Sequence, residues 1–321
     1  MKDPFGRTID YLRLSVTDRC NLRCFYCMPE EGVSPLSHSD ILRYEEMAIV
    51  VEQAVQEGIR NVRLTGGEPL VRKGVPELIQ QLRGIDGLQD LSLTTNAVLL
   101  PLYAQPLWQA GLRRINIGLP SLDRQVYARL TRHDALDQAL AGLEKAVEVG
   151  FSPIKINAVI LREWNEDPLP FLELTQRLPV EVRFIEYMPI GPAPSSRYFL
   201  PAGEFRRKLE AYGPFQAADR PDGLGPAQLY RRRPGAAGRF AVIAPVSEHF
   251  CRECNRLRLT ADGHLRPCLF SDGEFDIKPA LRPVPNRQAI RALLRQAVAA
   301  KPACMPQTAR DFSRGMSQIG G

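Results

Sequence analysis

Short apolar runs of β type alternate with amphipathic helical patterns through the first 190 residues. Strands are predicted at 11–16, 61–65, 91–95, 114–119, 153–160 and 181–187. Helices are predicted between them at 44–57, 75–83, 102–110, 135–149 and 168–177. The fourth helix carries an apolar stripe on one side, made of Leu136, Ala139, Leu140, Leu143 and Val147. This alternation predicts an α/β fold of right-handed βαβ units with a parallel sheet.

Six such units are too few to close an eight-stranded barrel, so we expect a partial, open (β/α)6 barrel resembling a TIM barrel. In parallel barrels, catalytic groups gather at the carboxyl ends of the strands. Polar residues on several predicted strands share a face, because strand side chains alternate. The pairs are Arg63 with Thr65, Thr94 with Asn96, and Lys155 with Asn157, and the last strand adds Arg183. They predict a polar pocket, and an internal salt-bridge network is the alternative for any one of them.

The residue composition of the sequence changes from about Pro189. The segment 191–194 has the composition of a loop, a short helix is predicted at 203–212, and residues 214–238 are rich in proline and glycine. The run Arg231, Arg232 and Arg233 is predicted to be a solvated loop rather than a phosphate contact. We therefore expect two regions, a barrel at 1–190 and a C-terminal region at 191–321.

Three thiols follow the first predicted strand, at Cys20, Cys24 and Cys27, in the spacing C-x3-C-x2-C. Three thiolates can hold three irons of a cubane cluster and leave the fourth iron open for a small molecule. A closed zinc site needs a fourth protein ligand, and no other Cys or His lies nearby in the sequence. The triad therefore predicts an iron–sulfur cluster with one free coordination position.

This spacing, with Tyr26 directly before Cys27, resembles the signature of the radical S-adenosylmethionine (SAM) superfamily. The resemblance implies that the open iron binds the amino and carboxylate groups of SAM, whose reductive cleavage gives a 5′-deoxyadenosyl radical. Residues 66–69, Gly-Gly-Glu-Pro, are similar to the superfamily's SAM-binding segment and follow the next predicted strand. The SAM contacts implied by the resemblance are Tyr26, Gly67, Glu68, Asn116, Gly118 and Met188.

A second cysteine set consists of Cys251, Cys254 and Cys268, in the spacing C-x2-C-x13-C. Two interpretations stay open from spacing alone. One is a second cubane cluster with an open iron, and the other is a three-thiolate zinc site completed by His249 or His264. Arg256 and Arg258 alternate on a strand-like run and so share a face. Paired guanidiniums beside an open iron suit a polyphosphate, and the alternative is an exposed edge strand.

Both triads, the segments at 63–69, 183–189 and 255–258, and the final Gly320-Gly321 together resemble the family of GTP 3′,8-cyclases (molybdenum cofactor biosynthesis protein A). The resemblance spans nearly the whole chain. It implies two [4Fe–4S] clusters, held by Cys20, Cys24 and Cys27 and by Cys251, Cys254 and Cys268, with guanine meeting the second open iron. The residues implied to surround GTP are Arg13, Arg63, Thr94, Lys155, Arg183, Arg256 and Arg258. The Gly-Gly tail is implied to reach into the site.

The implied reaction begins when the deoxyadenosyl radical takes hydrogen from the ribose 3′ carbon. The ribose radical then adds to carbon 8 of guanine, and reduction gives a cyclic nucleotide. The implied partners are an electron donor such as flavodoxin or ferredoxin and a downstream cyclic pyranopterin monophosphate synthase, and a homodimer is allowed. The chain departs from the family pattern where Gly118 replaces serine, Pro120 replaces aspartate and Ala97 replaces glycine.

Composition narrows the remaining alternatives. The net charge of +6 and pI near 9.0 suit an anionic substrate or nucleic acid. The sequence contains no apolar run of about 18 residues and no apolar signal segment at its start, so we expect no membrane span and a cytoplasmic location. Six of seven cysteines fall into the two triads, which favours metal over disulfides; Cys304 is expected to be an ordinary small residue.

The competing classes of protein are a radical SAM peptide-modifying enzyme with an auxiliary cluster and a nucleic-acid-binding protein with structural zinc. We expect no nucleic-acid partner.

Overall fold

The computed structural model describes residues 1–190, 196–219, 228–233, 235–305 and 314–320. Six parallel strands form the centre of one sheet: β1 (Tyr11–Ser15), β2 (Asn61–Thr65), β3 (Asp90–Thr95), β4 (Arg114–Gly118), β5 (Ile154–Ile160) and β6 (Val180–Glu186). Each pairs in parallel with the next strand along the chain. Their bounds differ from the sequence-based ranges by one residue at most, and the predicted parallel α/β fold is confirmed.

Helices connect these strands and cover one face of the sheet: α1 (Tyr44–Gln56), α2 (Val75–Arg83), α3 (Leu100–Gln109), α4 (Arg124–Thr131), α5 (Leu136–Val149) and α6 (Leu169–Arg177). Helix α4 is absent from the elements predicted from the sequence. This helix is only eight residues long, with Tyr127 and Leu130 as its buried apolar side chains. Its start is fixed by the Asp123 carboxylate, which accepts a hydrogen bond from the backbone N–H of Val126 at 2.8 Å.

The C-terminal region adds strands to both sides of the same sheet. Its elements are α7 (Ala202–Glu210), β7 (Gln216–Ala218), β8 (Leu229–Arg231), β9 (Arg239–Ile243), β10 (Arg256–Leu259), β11 (His264–Arg266), β12 (Phe275–Asp276), α8 (Lys278–Leu281) and α9 (Arg287–Ala299). Strand β9 pairs in parallel with β6, and β10 pairs in parallel with β1. The described sheet therefore has twelve strands in the order β12-β11-β10-β1-β2-β3-β4-β5-β6-β9-β8-β7.

This arrangement corrects two expectations. Strand β10 lies between β1 and β11, so the alternative that Arg256 and Arg258 belong to an exposed edge strand is wrong. Arg231 lies in β8 and donates to the carbonyl of Ala236 at 2.8 Å, so the arginine run begins in a strand and not in a loop. The predicted loop at 191–194 and the final Gly321 lie outside the described residues.

The apolar core lies between the sheet and its outer helices. In β1, Leu12 and Leu14 are fully buried in this core, whereas Arg13 between them faces the other side of the sheet. The core continues past residue 190, since the ring of Phe184 on β6 lies 5.0 Å from that of Phe205 on α7. The division at 190 stays a prediction. Among the described residues, no helix has both the length and the apolar character needed to cross a membrane.

Candidate active site

The inner, polar face of the sheet borders a cavity of about 400 Å³. The predicted site residues that line it are Arg13, Cys20, Cys24, Tyr26, Cys27, Arg63, Gly67, Glu68, Thr94, Gly118, Lys155, Arg183, Met188, Cys251, Cys254, Arg256, Arg258 and Cys268. Asn116 is the exception. It is buried on β4 and donates through Nδ2 to the carbonyl of Leu93 at 3.3 Å. The two cysteine triads, far apart in sequence, thus share one cavity.

The loop that carries the first triad is fixed by the Gly-Gly-Glu segment after β2. The backbone N–H of Gly67 donates to Thr17 and that of Glu68 donates to Arg19, each at 2.8 Å. A Cβ atom on Gly67 would lie 2.3 Å from the carbonyl oxygen of Arg19, which is closer than real atoms approach. Glycine at position 67 therefore allows the two backbones to pair directly before Cys20.

Glu68 organises the ends of neighbouring strands. Its carboxylate is almost fully buried and accepts hydrogen bonds from the Thr95 hydroxyl at 2.7 Å and the Asn96 backbone N–H at 2.6 Å. The Asn96 side chain in turn donates to the side chain of Asn21, next to the first cysteine, at 2.7 Å. Burial raises the pKa of Glu68 to about 7, against the lowering effect of its hydrogen bonds.

Helix α4 holds the cysteine loop from the other side. The backbone N–H groups of Arg23 and Phe25 donate to the carbonyls of Thr131 and Leu130, at 2.9 and 2.8 Å. The ring of Phe25 stacks on Trp164 with centroids 5.3 Å apart. The helix that the sequence analysis missed is therefore part of the support for the first triad.

The three thiols of the first triad are free and suit a metal cluster. The Cys24 thiol accepts hydrogen bonds from Cys27 and Tyr26, which lower its pKa against the effect of burial. Burial raises the pKa of Cys20 to about 12. A buried thiol that resists ionisation in this way becomes a thiolate when a cluster supplies positive charge. The donor set fits a cluster held by three cysteines.

The second triad is assembled around a buried ammonium group, that of Lys301. Its Nζ donates to the backbone carbonyls of Arg256 at 2.8 Å and Pro267 at 2.7 Å, and also to the Cys254 thiol. Burial disfavours a Cys254 thiolate, but the charges of Lys301 and Arg256 outweigh it and lower the pKa of this thiol. Lys301 is 3% exposed. Lys301 is not among the residues predicted from the sequence, because a single lysine after a helix matches no motif.

Three arginines stand side by side on adjacent parallel strands. Arg13 on β1 is in register with Arg258 on β10 and with Arg63 on β2. Burial and the neighbouring charges of Arg258 and Arg63 lower the pKa of Arg13 well below its usual range. Like charges directly opposite each other across strands are unfavourable. This row therefore favours an anion in the cavity.

A buried carboxylate, that of Glu181, faces other basic residues of the site. It forms ion pairs with Arg183 at 2.7 Å and Arg239 at 3.1 Å. Burial raises the pKa of Glu181, but the charges of Arg183, Lys155 and Arg239 outweigh this effect and lower it. The salt-bridge alternative thus describes Arg183 in this structure. Arg13, Arg63, Arg256 and Arg258 add further positive charge to the lining of the same cavity.

Some polar atoms on the cavity wall have no hydrogen-bond partner among the described residues. Among the described residues, Thr94 Oγ1 and Asn157 Oδ1 are buried and have no hydrogen-bond partner. Such groups are rare in folded proteins and mark places that a ligand or water satisfies. The wall thus offers donors and acceptors together with positive charge, as a nucleotide requires.

Met316 and Ser317, in the described segment 314–320, line the cavity. Arg258 donates through Nη1 to the carbonyls of Ile319 at 3.2 Å and Gly320 at 2.7 Å. Met316 and Ile319 pack with Ile190. A Cβ atom on Gly320 would lie 2.6 Å from the Thr65 hydroxyl, so only glycine fits this close to the end of β2.

The departures from the family pattern have local structural consequences. A Cβ atom on Gly118 would have its nearest neighbour, the Thr95 carbonyl, at 3.8 Å, so the absent serine leaves space at the cavity wall. Ala97 has a φ of 66°, in the left-handed region where glycine is favoured. The turn after β3 therefore keeps the conformation expected of glycine although it carries alanine.

Comparisons with known proteins agree with this geometry. Residues 14–174 match the family model of the radical SAM superfamily, and residues 180–305 match that of molybdenum cofactor synthesis C. The GTP 3′,8-cyclase of Pelotomaculum thermopropionicum is 49% identical over 327 residues, covering 100% of both chains. That of Moorella thermoacetica is 46% identical over 325 residues, also covering 100% of both.

Among solved structures, the crystal structure of Streptococcus suis SuiB bound to S-adenosylmethionine is similar with a TM-score of 0.65. The match covers 89% of this chain and 68% of that one at 16% identity, so it supports the fold alone. The parallel sheet and the cysteine triad at its rim define a radical SAM protein. Its full-length relatives narrow this class further: the chain belongs to the family of GTP 3′,8-cyclases.

Proposed function

We propose that the chain converts GTP to (8S)-3′,8-cyclo-7,8-dihydroguanosine 5′-triphosphate, the first step of molybdenum cofactor biosynthesis. The observation that carries this proposal is the row of Arg258, Arg13 and Arg63, in register on three adjacent strands beside both triads. A triphosphate supplies several negative charges that such a row can compensate inside a cavity.

The cofactors are two [4Fe–4S] clusters and SAM, as in the family to which the chain belongs. Cys20, Cys24 and Cys27 would hold the cluster that binds SAM, and the three cysteines of the second set would hold the other. When bound, the first cluster and SAM supply the radical that starts the reaction. The SAM contacts implied by the resemblance remain proposals: Tyr26, Gly67, Glu68, Gly118 and Met188 line the cavity, whereas Asn116 does not.

The chain itself would contribute binding and orientation. The arginine row would hold the triphosphate, while Arg256, with its guanidinium carbon 5.1 Å from the centre of the Phe250 ring, lies beside the second triad. Thr94 and Asn157 would satisfy polar groups of the nucleotide. Lys155 and Arg183, which share the single negative charge of Glu181 with Arg239, would act as hydrogen-bond donors to the nucleotide with part of their charge compensated.

The remaining partners follow from the same reaction. It needs an electron donor, for which flavodoxin or ferredoxin are candidates, and its product would pass to a cyclic pyranopterin monophosphate synthase. A cytoplasmic location and a homodimer are also proposals. The peptide-modifying alternative is less well supported, because an uncharged peptide main chain would not require three arginines in register on adjacent strands.

The decisive experiment is anaerobic incubation of the full chain with SAM, a strong reductant and each nucleoside triphosphate in turn. We expect about eight irons per chain for two cubane clusters, and 5′-deoxyadenosine formation coupled to consumption of GTP alone. Stoichiometric zinc without iron, or equal turnover of all nucleotides, would contradict the proposal.

Variants can locate the nucleotide. Arg256→Ala and Arg258→Ala are expected to weaken GTP binding at least about tenfold each, in line with the loss of one charge-assisted interaction. Cleavage of SAM by reductant should persist in both. Arg252→Ala is the matched control, because it removes the same charge from an exposed position outside the cavity. Unchanged GTP affinity in both cavity variants would overturn the assignment of the triphosphate site.

A further inference from the structure

Behind the second triad, three potential metal ligands meet outside the proposed nucleotide site. The ligand atoms of His249, Cys251 and Cys304 all lie within 4.8 Å of one another. The sulfur of Cys304 is 3.5 Å from Nε2 of His249 and 3.8 Å from Nδ1. Cys251 lines the cavity, but His249 and Cys304 do not, so the group lies on the outer side of the triad. Cys304, which is alone in the sequence, thus has a histidine and a second cysteine beside it.

The proximity of these residues is fixed by a buried guanidinium. Arg7 donates to the carbonyl of Cys251 at 2.7 Å, of Pro302 at 2.6 Å and of Ala303 at 3.2 Å. Its own charge is compensated by Asp3. The backbone N–H of Met305 also donates to the Cys251 thiol. The segment with Cys304 is thus tied to the segment with Cys251 by several backbone contacts.

The spacing and the donor types fit a tetrahedral zinc site. In such a site, zinc–sulfur and zinc–nitrogen bonds of about 2.3 and 2.0 Å place sulfur and nitrogen about 3.5 Å apart. Two thiolates and one imidazole select zinc or a similar metal over magnesium or calcium. Three protein ligands leave a fourth position for water, which suits the exposed side of Cys304.

We propose that the chain without its second iron–sulfur cluster binds one zinc ion through His249, Cys251 and Cys304. Because Cys251 has one sulfur to offer, zinc here would compete with assembly of the second cluster. This competition rests on the proposed function, whereas zinc binding itself does not. Cluster-free and cluster-loaded chains would therefore differ in their affinity for zinc.

Cobalt(II) is the probe, since it reports tetrahedral thiolate ligation by its visible and near-ultraviolet absorption. Titration of the full-length, cluster-free chain should give one equivalent of a tetrahedral cobalt site that zinc displaces. Cys304→Ser and His249→Gln should each weaken cobalt binding at least about tenfold, because each removes a direct ligand. The chain loaded with both clusters should lack the signal.

Cys254→Ser and His264→Gln are the matched controls. Cys254→Ser removes a thiol of the triad but keeps all three proposed ligands, so the cobalt spectrum should persist. His264→Gln removes the other histidine of the region, which lies against Asp262. If Cys254→Ser abolishes the spectrum and Cys304→Ser preserves it, zinc uses the triad and the proposal is wrong. Absence of a tetrahedral signal from the unsubstituted chain also overturns it.

Competition is tested by reconstitution with iron and sulfide after preloading with zinc. We expect about four irons per chain in place of about eight, with recovery to about eight in Cys304→Ser. An equal iron content per chain with and without zinc preloading would contradict the proposed competition. Loss of GTP turnover in the loaded chain with unaltered cobalt binding would count against the proposed function alone.

Discussion

The buried ammonium of Lys301 donates a hydrogen bond to the thiol of Cys254. The same nitrogen binds the backbone on either side of the second triad, at Arg256 and Pro267. One side chain thus joins the two segments that carry these cysteines and supplies a positive charge to their thiolates. We therefore predict that Lys301 positions the second triad for cluster binding.

Lys301→Met should remove the second cluster and leave the first. The substitution leaves two buried carbonyls without a donor, which costs about 1–3 kcal/mol for each group. We expect iron to fall from about eight to about four per chain, with SAM binding retained, as measured by iron analysis and electron paramagnetic resonance. Lys145→Met, on the partly exposed face of α5, is the control. Eight irons in Lys301→Met would show that the ammonium is dispensable for cluster binding.

Gly67→Ala should impair the first cluster. The new methyl group would overlap the carbonyl of Arg19 and push apart the two backbones that fix Cys20. Iron content and SAM binding, measured by equilibrium dialysis, should both decrease. Gly118→Ala is the control, because Gly118 lines the same cavity and has space for a methyl group. The iron content of this variant should match that of the unsubstituted chain. Full iron and SAM binding in Gly67→Ala would contradict the close packing seen here.

Gly142 on α5 should tolerate no side chain. A Cβ atom there would lie 2.2 Å from the carbonyl oxygen of Ala97, in the turn after β3. We expect Gly142→Ala to lower the free energy of unfolding by about 1–3 kcal/mol, as overpacked sites do. Gly203→Ala on α7 meets no atom within 4 Å and should leave stability equal or slightly higher. Denaturant unfolding measures the free energy of unfolding of both variants. Similar values for the two variants would contradict the prediction.

His264 should make stability depend on pH through the segment that carries Arg314. Its Nδ1 lies 3.2 Å from the Asp262 carboxylate, which also pairs with Arg314 at 2.8 Å. The hydrogen bond that His264 donates to the Asp262 carboxylate raises the pKa of His264 in the folded chain, against burial and the charge of Arg314. The stabilisation is therefore complete below about pH 6.5, which is the pKa of histidine in the unfolded chain. It is lost as the pH rises through the raised pKa of His264 in the folded chain.

The measurement is the free energy of unfolding of the chain across this pH range. His264→Gln should remove the part of the decline that belongs to this group, with Glu274 near Arg314 left in place. His38→Gln, an exposed histidine, should keep the decline of the unsubstituted chain. Identical pH profiles for His264→Gln and the unsubstituted chain would exclude a role for this ion pair.

Local pattern was sufficient to predict the parallel core of the fold. Strand β2 and helix α2 have the predicted bounds to the residue, because glycine marks their ends: Gly66 follows β2, and Gly74 and Gly84 flank α2. The pairing of β10 with β1 and of β9 with β6 was not predictable, since partners distant in sequence are chosen by tertiary packing. Helix α4 is too short for a periodic signal.

The cysteines of the site could be predicted because metal ligands recur in recognisable spacings, and the structure brings both sets to one cavity. Their assignment as cluster ligands stays a prediction, as do the SAM and GTP contacts. Lys301 and the group of His249 and Cys304 could not be found in this way. Both depend on contacts across the fold, made by a single ammonium and by the guanidinium of Arg7.

The pairing of β10 with β1 has a consequence for the order of folding. Asn255 and Asp10, at the start of these strands, form a hydrogen bond across a sequence separation of 245 residues. Contacts of such high order carry a large loop-closure entropy and form late. A chain in which only the first six strands have folded would contain the first triad but would lack Arg258 beside Arg13. Nucleotide affinity would thus serve as an assay of complete maturation, while SAM binding could already be present in the immature chain.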